Sequence, residues 1–243
     1  NVLLISMPLS LVDMLLLVTG GFVVLGEVLF PSLVSPFSDL LVNGLTSPKS
    51  DSIKVLIGYI SMTIPSLFIL YRLINSLDKS QRPKDGWLQW RFFPLKSAFL
   101  NALQSWLMVL PLVLLTAWVV TTLFGDQGGS NPLLELVLSS KDPFALLLLL
   151  ITTIVLAPVF EEIVFRGALL PVLANRFDMR WGVIVSAFVF AVAHLSVGEL
   201  APLFVLGIGL AILRLRSGRL FPCILMHSLW NGITFANLIL IGG

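Results

Sequence analysis

The residues most able to do chemistry lie in three apolar segments of the second half of the chain. They are Glu161, His194, His227 and Asn231, and the two histidines are the only ones the chain has. Ionisable groups cost about 2.5–3.5 kcal/mol each at bilayer depth on insertion scales, so those that are retained there usually have a function. A carboxylate, imidazoles and an amide can supply a general base and oxyanion donors. We therefore predict that these four residues are catalytic.

Helical spacing gives the two adjacent glutamates different roles. Glu162 and Arg166 are four residues apart, share a helix face and are expected to pair. Glu161 points about 140° away from Arg166 around the same helix. Glu162 therefore has a counter-ion within its own segment, whereas Glu161 needs a partner from another one.

The other two segments repeat the four-residue spacing, in Phe190 with His194 and in His227 with Asn231. At a rise of about 1.5 Å per residue, His227 lies about 12 Å from the basic turn before it. His194 and Glu161 lie about 20 Å from their own basic loops. A lone buried histidine or asparagine is more often a packing residue. The whole set at one depth, however, predicts a site inside the membrane.

The elements that must position these residues are membrane helices. The 243 residues are 57% hydrophobic and 12% charged, against about 45–50% and 25% in ordinary soluble domains. This composition predicts an all-α, polytopic helical bundle in a lipid bilayer. The net charge of +2 and the lack of basic runs interleaved with aromatics predict no nucleic-acid partner. Seven candidate spans are roughly 10–33, 53–76, 97–124, 143–170, 181–197, 200–215 and 219–241.

Basic and non-basic loops alternate along these spans. The loop 72–96, the loop with Arg176 and Arg180, and the turn 214–219 are basic, whereas the loops between them are not. By the positive-inside rule, the N-terminus and the basic loops face the cytoplasmic-equivalent side. The chain begins with Asn1 rather than Met, so we expect the natural N-terminus to be longer or processed.

Two local features carry their own expectations. Pro158 and Pro171 lie in the fourth apolar run and predict a kink or break there. The loop 72–96 combines basic residues with Trp87 and Trp90, which is typical of an anchor at headgroup depth rather than of a partner-binding loop.

At the candidate residues the sequence resembles a known family. The segment Glu161–Gly167, EEIVFRG, resembles the EExxxR motif of the CAAX-protease and bacteriocin-processing (CPBP, or Abi) intramembrane peptidases. Phe190–His194 resembles the FxxxH motif of that family, and His227–Asn231 its HxxxN motif. Each motif is weak alone, but the three in order in successive spans are specific. The resemblance covers about 143–241.

The resemblance implies a division of the chain and a role for each motif residue. Residues 1–142 would be variable N-terminal transmembrane helices with the cytoplasmic aromatic-basic loop 72–96, and residues 143–243 a catalytic helical core. The residues matching the family motifs would be an activator of water, formed by Glu161 with His194, and an oxyanion site, formed by His227 with Asn231. Around them we expect a supporting shell of Glu162, Arg166 and Phe190.

The expected activity is an intramembrane endopeptidase acting on a membrane-embedded protein or a lipidated peptide, and no cofactor is required. The HExxH signature of zinc peptidases is absent, which favours a metal-free mechanism. The alternative is a catalytic Zn²⁺ held by Glu161, His194 and His227.

Two rival functions use the same residues differently. The first is a non-proteolytic membrane chaperone or assembly factor, with a partner in a membrane complex. The second is a proton-coupled transporter, which the lack of an evident inverted repeat disfavours.

Overall fold

The protein folds as a polytopic helical bundle, as the composition predicts. The computed structural model describes residues 4–125, 136–138 and 140–242, which contain helices and no strand. Among the described residues, six helices are long and apolar enough to cross a membrane. A seventh helix, the fifth in chain order, is also apolar but shorter. The seven are α1 (Leu11–Leu41), α2 (Ser47–Ser76), α3 (Leu95–Phe124), α4 (Pro143–Arg176), α5 (Met179–Val192), α6 (Leu200–Ser217) and α7 (Phe221–Gly242).

The outward faces of these helices carry large apolar side chains. Leu16, Phe68 and Trp118 are each at least 60% exposed, an arrangement that water disfavours and lipid tolerates. The chain is therefore an integral membrane protein. The orientation of its termini and the division at residue 142 stay predictions.

Local signals fix where the central helices begin and end. Asp142 accepts hydrogen bonds from the backbone N–H groups of Phe144 and Ala145 at the start of α4, and Asp178 caps α5 in the same way. Such caps satisfy N–H groups that the helix itself cannot pair. The helix α6 ends at Ser217, and the capping residue after it, Gly218, has a left-handed conformation with φ 62°, as glycine permits.

Of the kink or break expected in the fourth apolar run, a break does not occur, because α4 is helical from Pro143 to Arg176. Instead, two stretches of α4 widen to π-helical turns, Ile151–Leu156 and Ile163–Leu169. Each stretch ends shortly before a proline, Pro158 or Pro171. A wider turn changes the hydrogen-bond register and so accommodates a residue that lacks an N–H group and crowds the preceding turn.

The fifth span ends earlier than expected. The helix α5 stops at Val192, and His194 lies in the turn that follows it, ahead of Leu195 with a positive φ of 53°. The Nδ1 atom of His194 lies 2.8 Å from the Phe190 carbonyl oxygen. The imidazole thus takes the carbonyl that the next turn of helix would have used, which places His194 at a helix end rather than inside a span.

Small residues bring the helices around α4 into close contact. A Cβ atom added to Gly207 of α6 would lie 3.0 Å from the Cβ and 3.1 Å from the Cα of Ala187 in α5. Glycine at such a crossing lets two membrane helices approach closely. The central part of α4 is the most enclosed, and Phe160, Val164 and Phe165 there are almost wholly buried.

Part of the aromatic-basic loop packs against the protein rather than facing outward, and its depth in the membrane stays a prediction. Trp87 is only 7% exposed and Gln89 is fully buried. Arg214 donates to the Leu88 carbonyl and the Gln89 side chain, and Arg219 donates to three further carbonyls of the loop. The loop is therefore held against the ends of α6 and α7, while Phe93, 78% exposed, still faces outward.

Candidate active site

Glu161 lies between the two histidines of the chain. Its Oε2 atom is 3.6 Å from the Nε2 atom of His194 and 3.9 Å from the Nε2 atom of His227. The three residues come from α4, from the turn after α5, and from α7. Glu161 is 8% exposed and His227 3%, so the residues that the sequence placed at one depth also converge at one point.

Glu162 contacts His227 on the side of the ring opposite to Glu161. Its Oε1 atom accepts from the Arg166 guanidinium at 3.0 Å, which is the predicted pair, and lies 2.9 Å from the Nδ1 atom of His227. Arg166 also donates to the Gly207 carbonyl at 3.1 Å. A carboxylate on Nδ1 sets the orientation of an imidazole and leaves Nε2 free to face the site.

The Phe190 ring lies against three side chains of the site. Its centroid is 4.7 Å from that of His194 and 5.7 Å from that of His227, both edge to face. The Arg166 guanidinium lies 4.3 Å from the same centroid, within the range of a cation–π contact. Phe190 thus fixes both imidazoles and keeps the buried arginine away from water.

Asn231 lies one turn beyond His227 on α7 and faces the same cavity. Its Nδ2 atom donates to the Thr153 carbonyl at 2.8 Å, and Thr153 belongs to the first wide turn of α4. One amide hydrogen is thereby committed to orienting the side chain. The second amide hydrogen is available to a ligand.

Glu161, His194, His227 and Asn231 line one cavity of about 350 Å³, a size suited to a small ligand or a short peptide segment. Its walls are mostly apolar and include Leu203, Leu206 and Phe235. The Oε2 atom of Glu161 is buried there without a hydrogen bond to any described residue. A carboxylate oxygen in such surroundings favours a proton donor as its partner.

Tyr59 also lines the cavity and was missed by sequence reasoning. It comes from α2, and its ring packs edge to face on Phe160 at 6.2 Å between centroids. Its hydroxyl is close enough to Glu161 to interact with it, yet it makes no hydrogen bond within the described part of the chain. A tyrosine in an apolar span gives no periodic signal that could have revealed this.

Glu199 is the second missed residue, since its position in the sequence indicates only a charge in an outer loop. Its side chain lines the same cavity. Burial raises the pKa of the Glu199 carboxyl above its ordinary value, and His194 and Ser196 oppose that rise. The cavity therefore contains a second carboxylate besides Glu161.

Metal dependence of the site stays a prediction. Within the described ranges, no three His, Cys, Asp or Glu side chains are grouped closely enough to hold one metal ion. The set Glu161, His194 and His227 has ligand types suitable for zinc, so the metal-free mechanism and its zinc alternative both remain to be tested.

Comparison with known proteins agrees with the motifs. Residues 143–233 match the family described as Type II CAAX prenyl endopeptidase Rce1-like. That segment contains Glu161, His194, His227 and Asn231. The match confirms the resemblance to CPBP peptidases over this part of the chain.

A curated relative is similar over part of its length. It is an "Uncharacterized 24.3 kDa protein" of Escherichia coli, 32% identical over 103 residues, which cover 40% of this chain and 48% of the relative. The chain thus aligns with about half the length of this relative. No solved structure matches the chain significantly.

Proposed function

We propose that this chain is an intramembrane endopeptidase that hydrolyses a peptide bond of a membrane-embedded or lipid-anchored substrate. The observation that carries the proposal is the buried Glu161 carboxylate, facing two imidazole nitrogens at 3.6 and 3.9 Å within one cavity. The match of residues 143–233 to a CAAX-type peptidase family supports the same reaction class.

In this mechanism, Glu161 and His194 activate a water molecule. The Nδ1–H group of His194 donates to the Phe190 carbonyl, so that Nε2 offers a lone pair on the side of Glu161. A water between the two groups donates one hydrogen to each. As its oxygen bonds to the scissile carbonyl carbon, Glu161 takes the proton and the carbonyl π electrons move to the carbonyl oxygen.

The resulting oxyanion is stabilised by His227 and Asn231. His227 donates through Nε2–H when that nitrogen carries a proton, and Asn231 donates through the amide hydrogen that Thr153 does not use. Donors of this kind are each worth about 10²–10³ in kcat when water is excluded.

Collapse of the tetrahedral intermediate completes the reaction. The oxyanion electrons re-form the carbonyl, the C–N bond breaks, and Glu161 returns its proton to the leaving nitrogen. The products are a carboxylic acid and an amine, and Glu161 is again a carboxylate. No redox partner or cofactor enters this scheme.

The test is a comparison of membrane proteomes from cells carrying wild-type protein or the variants Glu161→Gln and His194→Ala. We expect one or more membrane peptides to change length in the wild type only, while both variants fold and insert normally. Asp85→Asn, in the loop before α3, is the matched control and should behave as wild type. If both site variants fully complement a deletion, the protein is a scaffold and the peptidase proposal is wrong.

A further inference from the structure

Glu199 is a carboxylate in the candidate active-site cavity that the proposed mechanism does not use. It lies in the segment between α5 and α6, directly before Leu200, and lines the same cavity as Glu161 and His194. Glu199 is partly buried, so its carboxylate is incompletely hydrated.

The helix does not use this carboxylate either. Glu199 is the N-cap residue of α6, a position where short side chains such as aspartate usually accept from the first backbone N–H groups. Here the side chain makes no capping hydrogen bond, and only the Glu199 backbone carbonyl takes part, accepting from the N–H group of Leu203. The Glu199 side chain therefore does not cap the helix.

No lysine or arginine neutralises Glu199 within the described residues. It forms no ion pair with lysine or arginine there, in contrast to Glu162, whose charge is met by Arg166. The described lining of the cavity contains the carboxylates of Glu161 and Glu199 but no lysine or arginine. The histidines are the only basic groups among its described walls; both face Glu161, and His194 also lies near Glu199.

A carboxylate left partly dehydrated gains most from a cation that arrives with the ligand. We propose that Glu199 forms a specificity subsite for a basic side chain, lysine or arginine, next to the scissile bond of the substrate. The inference rests on the proposed peptidase function and adds a substrate class to it. Glu199 would bind substrate and would not take part in proton transfer.

The test uses full-length protein in liposomes and a set of membrane-inserted model peptides. The peptides are identical except for one position, scanned along the residues flanking the cleavable region, which carries lysine, arginine, leucine or glutamate. We expect wild type to favour the basic peptide over its leucine counterpart by about tenfold in kcat/KM at one scanned position.

The variants of Glu199 decide the assignment. Glu199→Gln should bring the ratio of basic to leucine peptide close to one, Glu199→Asp should restore part of it, and Glu199→Lys should turn the preference toward glutamate. Thermal unfolding of each variant reports on folding, and the aspartate variant keeps the charge if the lysine variant fails to fold. Equal ratios in wild type and Glu199→Gln would overturn the inference.

A binding readout separates this inference from the proposed function. In a Glu161→Gln background, photo-crosslinking of the lysine and leucine peptides is compared with and without the additional Glu199→Gln change. A lysine preference that Glu199→Gln removes supports the subsite even if wild type cleaves none of the peptides, a result that would count against the peptidase proposal alone. Equal crosslinking of both peptides in both backgrounds would contradict the subsite.

Discussion

The Nδ1 atom of His227 lies 2.9 Å from the Oε1 atom of Glu162, the same oxygen that receives the Arg166 guanidinium at 3.0 Å. Glu162 thus connects the site histidine of α7 to the buried arginine of α4. Its neighbour Glu161 faces the opposite nitrogen of the same ring. His227 is therefore held between two consecutive carboxylates, only one of which faces the cavity.

Replacing Glu162 by glutamine should lower activity without abolishing it. The amide is nearly isosteric, but it weakens the bond to His227 and leaves the buried Arg166 charge without its counter-ion. We expect kcat to fall about 10–100-fold, as is common for groups that orient a site residue. Peptide cleavage in liposomes measures this, with His227→Ala for comparison. A Glu162→Gln rate equal to wild type would show that the orientation of His227 does not depend on this contact.

Removal of Arg166 should destabilise the fold through its partner. Arg166 and Glu162 are both fully buried, and breaking a buried pair costs about 3–5 kcal/mol because one charge is left alone. Arg166→Met should therefore lower Tm more than the double change Glu162→Leu with Arg166→Met. Thermal unfolding in detergent makes the comparison. If the double variant unfolds at the lower temperature, the uncompensated charge is not the cause.

Tyr59→Phe tests the phenol that faces Glu161. The change removes the hydroxyl and keeps the ring that packs on Phe160. We expect kcat/KM to fall about tenfold, because the variant lacks a hydroxyl that could donate to Glu161 in the substrate complex, with Tm unchanged or higher. Tyr71→Phe is the matched control, because Tyr71 is on the same helix and is 61% exposed. Unchanged activity in Tyr59→Phe would show that the hydroxyl has no part in the reaction and that Tyr59 only packs on Phe160.

Asp142 should give the fold a defined pH dependence. The N–H group of Ala145, with further contributions from Lys49 and Phe144, holds the pKa of this carboxyl below its ordinary value. The ionised form therefore stabilises the folded state fully above the ordinary pKa of about 3.9, and this stabilisation is lost as the pH falls through the lower folded pKa.

The measurement is the difference in Tm between wild type and Asp142→Asn across pH. We expect wild type to be the more stable at neutral pH, with a difference that stays constant down to about pH 5 and shrinks below pH 4. Asp85→Asn, a loop carboxylate that caps no helix, provides the control. A difference that does not change with pH would contradict the capping role of the charge.

The metal-free mechanism makes a prediction about composition. Protein purified without chelator should contain well below one equivalent of zinc, and its activity should survive dialysis against a chelator. Elemental analysis provides the measurement. One full equivalent in wild type that is lost in Glu161→Ala would instead favour the alternative zinc site of Glu161, His194 and His227.

Features governed by local periodicity were predictable from sequence. The apolar runs gave the number of helices, and the four-residue spacing gave the pair of Glu162 and Arg166. Both features depend on interactions within one helix, and the spacing of residues along the sequence determines which side chains share a helix face.

Features governed by contact between helices were not. The bond from Glu162 to His227 depends on the rotation of α7 relative to α4, and the approach of Tyr59 depends on where α2 packs. The end of α5 before His194 was missed because the apolar pattern continues past Val192. Glu199 was missed because a charge in a loop resembles an exposed one until the cavity beside it is known.

The wide turn Ile163–Leu169 has a consequence for tolerance to insertion and deletion. A π turn contains one residue more than an α turn, so losing one residue there would let the backbone relax to ordinary α geometry. The segments on either side of the wide turn would then keep their relative orientation, whereas the same loss in an ordinary α-helical stretch would turn one side by about 100° relative to the other. A one-residue deletion is therefore expected to be tolerated better in Ile163–Leu169 than in the α-helical stretch Ala157–Glu162, which carries Glu161.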